Sequence, residues 1–483
     1  MFIFDIQKHK QHTMRVEQIY TGCLAQGAYY IVSNGEVAII DPLREVASYI
    51  ARADADNAKI KYIFETHFHA DFVSGHVTLA EKTGAEIIYG PMADPAFPVT
   101  KATDGQIFPL GNVQIKVLHT PGHTMESTTF LLIDENGKDH AIFSGDTLFL
   151  GDVGRPDLAQ KSNELTQEQL AGTLFESLRN QIMPLADDVI VYPGHGAGSA
   201  CGKNLSKETV GTIGEQKQIN YALRADMTRE EFIREVTDGL TPPPSYFPLN
   251  VMLNKQGYES IDEVIKRGTL ALSPADFEKL ANDTDALILD VRNEKDFVQG
   301  HIPNSIFIGI DGGFAPWVGA LIQDVKQQIL LVTPEGREEE TITRLSRVGF
   351  DQTIGYLAGS FKAWEAAGKE IATIESVSAE TFAKQLNDHP APVFDVRKPG
   401  EFESEHLPVA HSTPLDFLND HLSEFPAAET FYVHCAGGYR SVIAASILKS
   451  RGIHNLVDVA GGFGAIKKTG LATTNEVCPS TLK

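Results

Sequence analysis

The 483-residue chain carries 41 Lys and Arg against 64 Asp and Glu, and its formal charge of −23 excludes nucleic acid and anionic bilayers as expected partners. Its hydrophobic share of 42% and charged share of 22% are those of an ordinary soluble protein, without an apolar run of membrane-spanning length. Its four cysteines, Cys23, Cys201, Cys435 and Cys478, lie far apart without CxxC spacing, which excludes a disulfide scaffold or zinc knuckle and suits a reducing cytoplasm.

At roughly 100–200 residues per domain, about three globular units are expected. The opening MFIFDIQKHKQHT has neither the apolar core nor the cleavage site of a signal peptide and reads as a short tail before Met14. From Met14 to about Ala200, short apolar runs recur (VAIIDP, KYIFETH, AEIIYG, VQIKVLH, TTFLLID, HAIFSGD, DVIVYPGH). Gly, Pro and Asp turns and helical stretches such as VTLAEKTG separate them, which predicts strand-rich α/β structure. Between Asn204 and about Gly257 the pattern turns helical and then breaks at TPPPSYFPLN, where consecutive prolines oppose helix and central strand. The first domain is expected over 14–265.

Beyond it the chain repeats. ALILDVRNEKDFVQGHIPNS at 286–305 returns as PVFDVRKPGEFESEHLPVA at 392–410, and YLAGSFKAW at 356–364 as DVAGGFGAI at 458–466. Two copies of one α/β domain, each a parallel sheet flanked by helices, are expected over 272–372 and 377–475. The whole is α/β and multidomain.

In the first domain His67, His123, Asp146 and His195 each follow an apolar, strand-like run, and loops at the ends of neighbouring strands converge. The segment THFHADF opens like half of a two-metal site, because Phe72, which cannot donate to a metal, stands where another nitrogen ligand would complete it. THFHAD, HTPGHT, FSGDTLF and YPGHG resemble the successive motifs of the metallo-β-lactamase fold. The resemblance covers about the first 200 residues and implies an αββα sandwich with the metal at the edges of its sheets.

Hydrolytic members such as glyoxalase II hold two metals that activate a bridging water. With Phe72 in place, this chain is more similar to the persulfide dioxygenases, which use O2 to oxidise the outer sulfur of a thiol persulfide to sulfite. That resemblance implies one Fe(II) per chain held by His67, His123 and Asp146, a two-histidine, one-carboxylate face with open positions. It implies that His69, Asp71 and His195 orient those ligands or exchange protons, with service as alternative metal ligands left open, and that Arg155 lies near the substrate, a structural salt bridge being its other reading. GHGAGSACGK at 194–203 lacks the tyrosine of glutathione-specific members and carries Cys201, an auxiliary thiol or a packing residue, so the thiol carrier stays open.

The repeats differ in one loop. Asp290, Arg292, His301 and Pro303 have counterparts in Asp395, Arg397, His406 and Pro408, which points to a role in the shared fold. Comparing TFYVHCAGGYRSVIAA with ILLVTPEGREEETI places Pro334 opposite Cys435 and Glu339 opposite Arg440, so only the last copy has a nucleophile. Its loop, Cys435, Ala436, Gly437, Gly438, Tyr439 and Arg440, joins a strand to a helix. Backbone N–H groups there can curl around the sulfur, and the thiol is expected to ionise below its usual value of about 8.5. DVR, the (G/E)H(I/L)P segment, Cys-x4-Arg and AGG-F at 460–463 resemble the rhodanese family from about 272 to 475. That implies sulfane-sulfur transfer through a Cys435 persulfide, with the middle copy inactive.

Together the two resemblances imply a cytoplasmic, homo-oligomeric, sulfide-detoxifying fusion enzyme that makes sulfite from a thiol persulfide and O2 and passes sulfane sulfur to sulfite to form thiosulfate. Two rivals stay open. One is a glyoxalase II-type thioester hydrolase with zinc at His67, His69 and His123; the other is a non-enzymatic sulfur carrier or sensor.

Overall fold

The computed structural model describes residues 14–159 and 165–474. The tail before Met14, Cys478 and the expected domain end at 475 lie outside the described residues. The chain divides into two compact units, Met1–Pro243 with Phe247–Tyr258, and Pro244–Tyr246 with Glu259–Lys483.

In the first unit β1 (Arg15–Thr21), β2 (Gln26–Ser33), β3 (Glu36–Ile40), β4 (Lys59–Glu65), β5 (Glu86–Tyr89) and β6 (Thr100–Lys101) form one sheet in that order, antiparallel through β3 and parallel thereafter. The strands β7 (Ile107–Leu110), β8 (Val113–His119), β9 (Thr128–Ile133), β10 (Asp139–Gly145), β11 (Ile190–Pro193) and β12 (Gly211–Thr212) form the second, with β10 and β11 parallel. Side-chain alternation builds the layers. Tyr29 and Ile31 of β2 meet Ile115, Val117, Phe130 and Phe143 between the sheets, while Ala28 and Tyr30 face the helices Ala47–Ala55 and His76–Thr83. On the opposite side Leu118, Leu131 and Ile142 pack on the helices Gln167–Ser177 and Arg229–Thr237, whose starts are fixed by capping boxes at Thr166 and Thr228. The result is the expected αββα sandwich.

The proline-rich segment departs from expectation. A helix begins inside it, Phe247–Gln256, with Pro248 in its first turn, where the missing N–H has no intrahelical partner to lose.

In the second unit β13 (Ala271–Leu272), β14 (Leu287–Asp290), β15 (Ile306–Phe307), β16 (Ile329–Val332) and β17 (Thr353–Leu357) form a parallel sheet in the order β13-β17-β16-β14-β15. The strands β18 (Ser376–Ser378), β19 (Val393–Asp395), β20 (Ala410–Ser412), β21 (Phe431–His434) and β22 (Leu456–Ala460) repeat it as β18-β22-β21-β19-β20. The helix Ile261–Gly268, in which the sequence-based boundary near 265 falls, packs on β17 and on the helix Glu338–Ser346.

Strand register corrects one alignment of the copies. Asp290 pairs with Val332 as Asp395 pairs with His434, and Leu331 pairs with Tyr356 as Val433 pairs with Asp458. Cys435 therefore stands opposite Thr333, and Arg440 opposite Glu338. The sequence comparison, which set Pro334 and Glu339 there, was one residue out of step, because two apolar strands align equally well in either frame. Among the described residues no helix is long and apolar enough to cross a membrane.

Candidate functional site

The loops that follow β4, β8, β10 and β11 supply Thr66–Asp71, His123, Asp146 and His195 at one edge of the sandwich. His67, His123 and Asp146 are buried, and one ligand atom from each lies within 4.8 Å of the others. Asp146 Oδ2 stands 3.9 Å from His67 Nε2 and 3.6 Å from His123 Nε2. It has no hydrogen-bond partner among the described residues.

Hydrogen bonding behind the rings fixes their tautomers. His123 Nδ1 lies 2.8 Å from the Arg155 carbonyl, which can only accept, so the proton sits on Nδ1. Thr66 Oγ1 gives its proton to Asp41 Oδ2 at 2.8 Å and therefore accepts from His67 Nδ1 at 2.9 Å. Both Nε2 atoms thus aim lone pairs at a carboxylate oxygen. Burial and the neighbouring His69 charge push the His67 pKa well below its ordinary value, which keeps that lone pair free. Three electron-rich atoms converging in a dry pocket repel one another unless a cation lies between them, so this donor set fits a metal ion. The chain also comes in close here: a Cβ on Gly154 would lie 2.9 Å from His123 Nδ1, and one on Gly194 would lie 2.5 Å from Asp146 Oδ1.

The neighbouring histidines are engaged elsewhere. His195 donates from Nδ1 to Asp146 Oδ1 and from Nε2 to Asp71 Oδ2, each at 2.8 Å. Burial works against its charge, but Asp146 and Asp71 win and lift its pKa to about 10. His69 Nε2 faces Asp41 at 3.1 Å and Glu65 at 3.5 Å, and these carboxylates outweigh burial and hold it as an imidazolium. Its ring lies against Phe72, centroids 4.3 Å apart and tilted by 33°, and Phe72 is fully buried. Asp71 Oδ1 is left without a partner, and Cys201 is grouped with Asp71 and His195. Burial, reinforced by Asp71 and Asp146, pushes the Cys201 thiol well up.

The Arg155 guanidinium is committed to Asp157, with two bonds of 2.7 Å, and to the Ala200 and Thr241 carbonyls. It reaches the centre through its own carbonyl. Sequence reading passed over Thr66, Asp41 and Asn254, which sit outside recognisable metal spacing. Asn254 staples the 66–76 loop by donating to the His69 and Phe72 carbonyls at 2.8 and 2.7 Å and accepting from Ser74 N at 2.8 Å.

In the last repeat Cys435 is 1% exposed at the end of β21. Gly438, at φ 112° and capping the helix Tyr439–Ser450, donates its N–H to Sγ at 3.1 Å, a conformation that glycine takes at no steric cost. Ala436 and Gly437 are exposed beside it. Tyr439 donates to the Gly309 carbonyl of the other copy at 2.8 Å, and Arg440 spends two nitrogens on Glu401 at 2.6 and 2.8 Å. Three residues absent from the sequence reading close the pocket: Ser441 Oγ lies 3.7 Å from Sγ and 2.6 Å from Asp458 Oδ1, and Ser376 donates to Asp458 Oδ2 at 2.8 Å. Asp290 with Arg292, and Asp395 with Arg397, make the same bidentate pairs, as expected of residues that serve the fold.

The Metallo-beta-lactamase superfamily is matched over residues 21–195, and the Rhodanese-like domain twice, over 273–367 and 378–469. The cytoplasmic hydroxyacylglutathione hydrolase of Arabidopsis thaliana is 32% identical over 36% of this chain and 65% of its own length, so the chain spans about two thirds of that relative. The mitochondrial persulfide dioxygenase ETHE1 of Homo sapiens is 27% identical over 45% of this chain and 78% of that protein. A crystal structure of a metallo-beta-lactamase from Staphylococcus aureus subsp. aureus COL superposes with a TM-score of 0.64 at 33% identity, covering 71% of this chain and 99% of that one.

Proposed function

The chain belongs to the metallo-β-lactamase superfamily, followed here by two rhodanese-like domains, and on that footing we propose that it is a mononuclear iron persulfide dioxygenase fused to a sulfurtransferase. The observation that carries the reading is the unpartnered Asp146 Oδ2 facing two imidazole lone pairs, while the buried, non-donating Phe72 ring lies against His69 and His195 is already bonded at both nitrogens. The similarity to a persulfide dioxygenase and the rhodanese-like repeats agree with a shared sulfur chemistry.

His67, His123 and Asp146 would hold the ion. When bound, ferrous iron supplies vacant positions for O2 and for the outer sulfur of a thiol persulfide. The chain's own residues do the rest. Thr66 and the Arg155 carbonyl lock the two imidazoles in the metal-binding tautomer, and His195 fixes the plane of the Asp146 carboxylate. Burial of all three ligands keeps bulk water away. In the last repeat Cys435 attacks the outer sulfur of a second persulfide, RSH leaves, and sulfite removes the bound sulfur as thiosulfate. Cys201, grouped with Asp71 and His195, is an auxiliary thiol beside the centre in this reading.

Metal analysis of the full chain purified without oxygen, followed by O2 uptake on a thiol persulfide, tests the proposal. One iron per chain, sulfite as product and loss of uptake in His123→Ala are expected; zinc with no uptake refutes it. The likeness to a hydroxyacylglutathione hydrolase favours a second reading, thioester hydrolysis with zinc at His67, His69 and His123. That arrangement requires His69 to leave Asp41 and Glu65, and cleavage of a glutathione thioester by the purified chain would establish it.

A further inference from the structure

The two repeats provide an internal control, since one keeps the fold without the nucleophile. Strand pairing sets Cys435 opposite Thr333, Ser441 opposite Glu339, Asp458 opposite Tyr356 and Ser376 opposite Ala271. The three polar residues around the sulfur, Ser441, Asp458 and Ser376, are therefore missing together from the copy that lacks the cysteine, although the Asp–Arg pairs of the fold persist in both. Ser441 and Asp458 are 0% and 2% exposed, and a buried carboxylate is costly to keep for packing alone.

We infer that Cys435, Ser441 and Asp458 form a proton relay, in which the thiol proton passes through the Ser441 hydroxyl to the Asp458 carboxylate as the thiolate attacks. The inference rests on the sulfur-transfer reading of Cys435. Its geometry is continuous: Sγ to Oγ 3.7 Å, Oγ to Oδ1 2.6 Å, with Ser376 holding the other oxygen at 2.8 Å. When Cys435 thiolate takes the outer sulfur of RS–SH, the S–S bond to R breaks, a new S–S bond forms on Cys435, and RS⁻ leaves to take a proton from water. Asp458 keeps the thiol proton until sulfite removes the sulfur as thiosulfate, and then returns it to Cys435. Ser441, which touches the reacting sulfur, is a catalytic residue, and Asp458 and Ser376 position it. The other titratable groups around the loop stand outside the relay: Arg440 is paired with Glu401 and Asp395 with Arg397, while His434 lies 3.4 Å from the Cys435 carbonyl through Nδ1 and 3.9 Å from Asp395, its Nε2 having no partner among the described residues.

The test is the rate of Cys435 alkylation by iodoacetamide against pH, on the full chain, beside the kcat and KM of sulfur transfer from thiosulfate. A proton shared internally keeps the thiolate fraction independent of pH over a plateau. In Asp458→Asn the plateau should vanish, leaving a simple thiol titration that meets the parent curve at high pH, with kcat down roughly a hundredfold at neutral pH and KM little changed. Ser441→Ala should behave alike, and Ser441→Thr, which keeps the hydroxyl, should restore the plateau. Superimposable profiles for Asp458→Asn and the parent overturn the relay. Failure of the sulfur-transfer reading looks different, because Cys435→Ser would then still transfer sulfur from thiosulfate.

Discussion

His195 and Asp146 share a 2.8 Å hydrogen bond from Nδ1 to Oδ1, and that bond turns the other carboxylate oxygen toward His67 and His123. Removing it should loosen the centre without removing a ligand. His195→Gln is expected to weaken iron binding about 10–100-fold, read by chelator competition. A pH dependence accompanies it. Burial opposes the charge on His195 while Asp146 and Asp71 raise its pKa from 6.5 to about 10, so its pairing stabilises the folded chain fully below about pH 6.5 and is lost as pH rises through about 10. Thermal midpoints of the chelator-treated protein should fall across that window in the parent and stay flatter in His195→Gln.

Asn254 should be as important to the metal loop as its ligands are. Its side chain satisfies two carbonyls and one N–H between His69 and Ser74 while fully buried. Asn254→Ala leaves all three unpaired, at about 1–3 kcal/mol for each buried group, and should lower the melting midpoint and iron occupancy together. Wild-type iron content with a normal midpoint would contradict this.

That residue shows where sequence reasoning stops. The strands of the sandwich were legible because apolar runs alternate with Gly, Pro and Asp turns, and the clustering of His67, His123 and Asp146 as a candidate metal group because each follows such a run. Strands β1 and β2 went unread among those runs, and β1, VEQIYT, has Glu17 and Gln18 interrupting its apolar residues. Asn254 pairs with a loop about 180 residues earlier, from a helix that the nearby prolines disguised, and such contacts leave no local period. Asp458 was legible in principle, because the internal repeat already sets it against Tyr356, but nothing in the sequence places it beside the Cys435 loop, which lies about 20 residues earlier. The pairing of Arg440 with Glu401 had no signal in the loop itself, because its partner lies about 40 residues earlier in the chain.

Phe72 is predicted to set the metal count. Its ring covers His69, and the adjacent Asp71 has a buried oxygen without a partner. Phe72→His would add the missing nitrogen donor next to that oxygen. The expected outcome is a rise from one metal per chain toward two by elemental analysis, with O2 uptake on a persulfide falling.

Cys435 and the His67 centre lie in different compact units, so their chemistries should separate by mutation. Cys435→Ser should abolish thiosulfate formation and leave O2 uptake within about twofold of the parent, since surface and remote changes seldom exceed about 0.5 kcal/mol. Loss of both activities would mean that sulfur must pass through Cys435 before oxidation.

The middle repeat should resist conversion by a single cysteine. Thr333 occupies the position of Cys435, but Glu338 and Glu339 stand where Arg440 and Ser441 do, and Tyr356 and Ala271 replace Asp458 and Ser376. The carboxylates at the start of the helix Glu338–Ser346 would repel an anionic sulfur donor, and a thiol there would have no hydroxyl to take its proton. The double variant Thr333→Cys with Cys435→Ser is therefore expected to transfer no sulfur from thiosulfate, even where mass spectrometry shows the new thiol reduced and intact. Measurable transfer by that variant would mean that the loop backbone alone activates the sulfur, and the polar residues around Cys435 would then need another explanation.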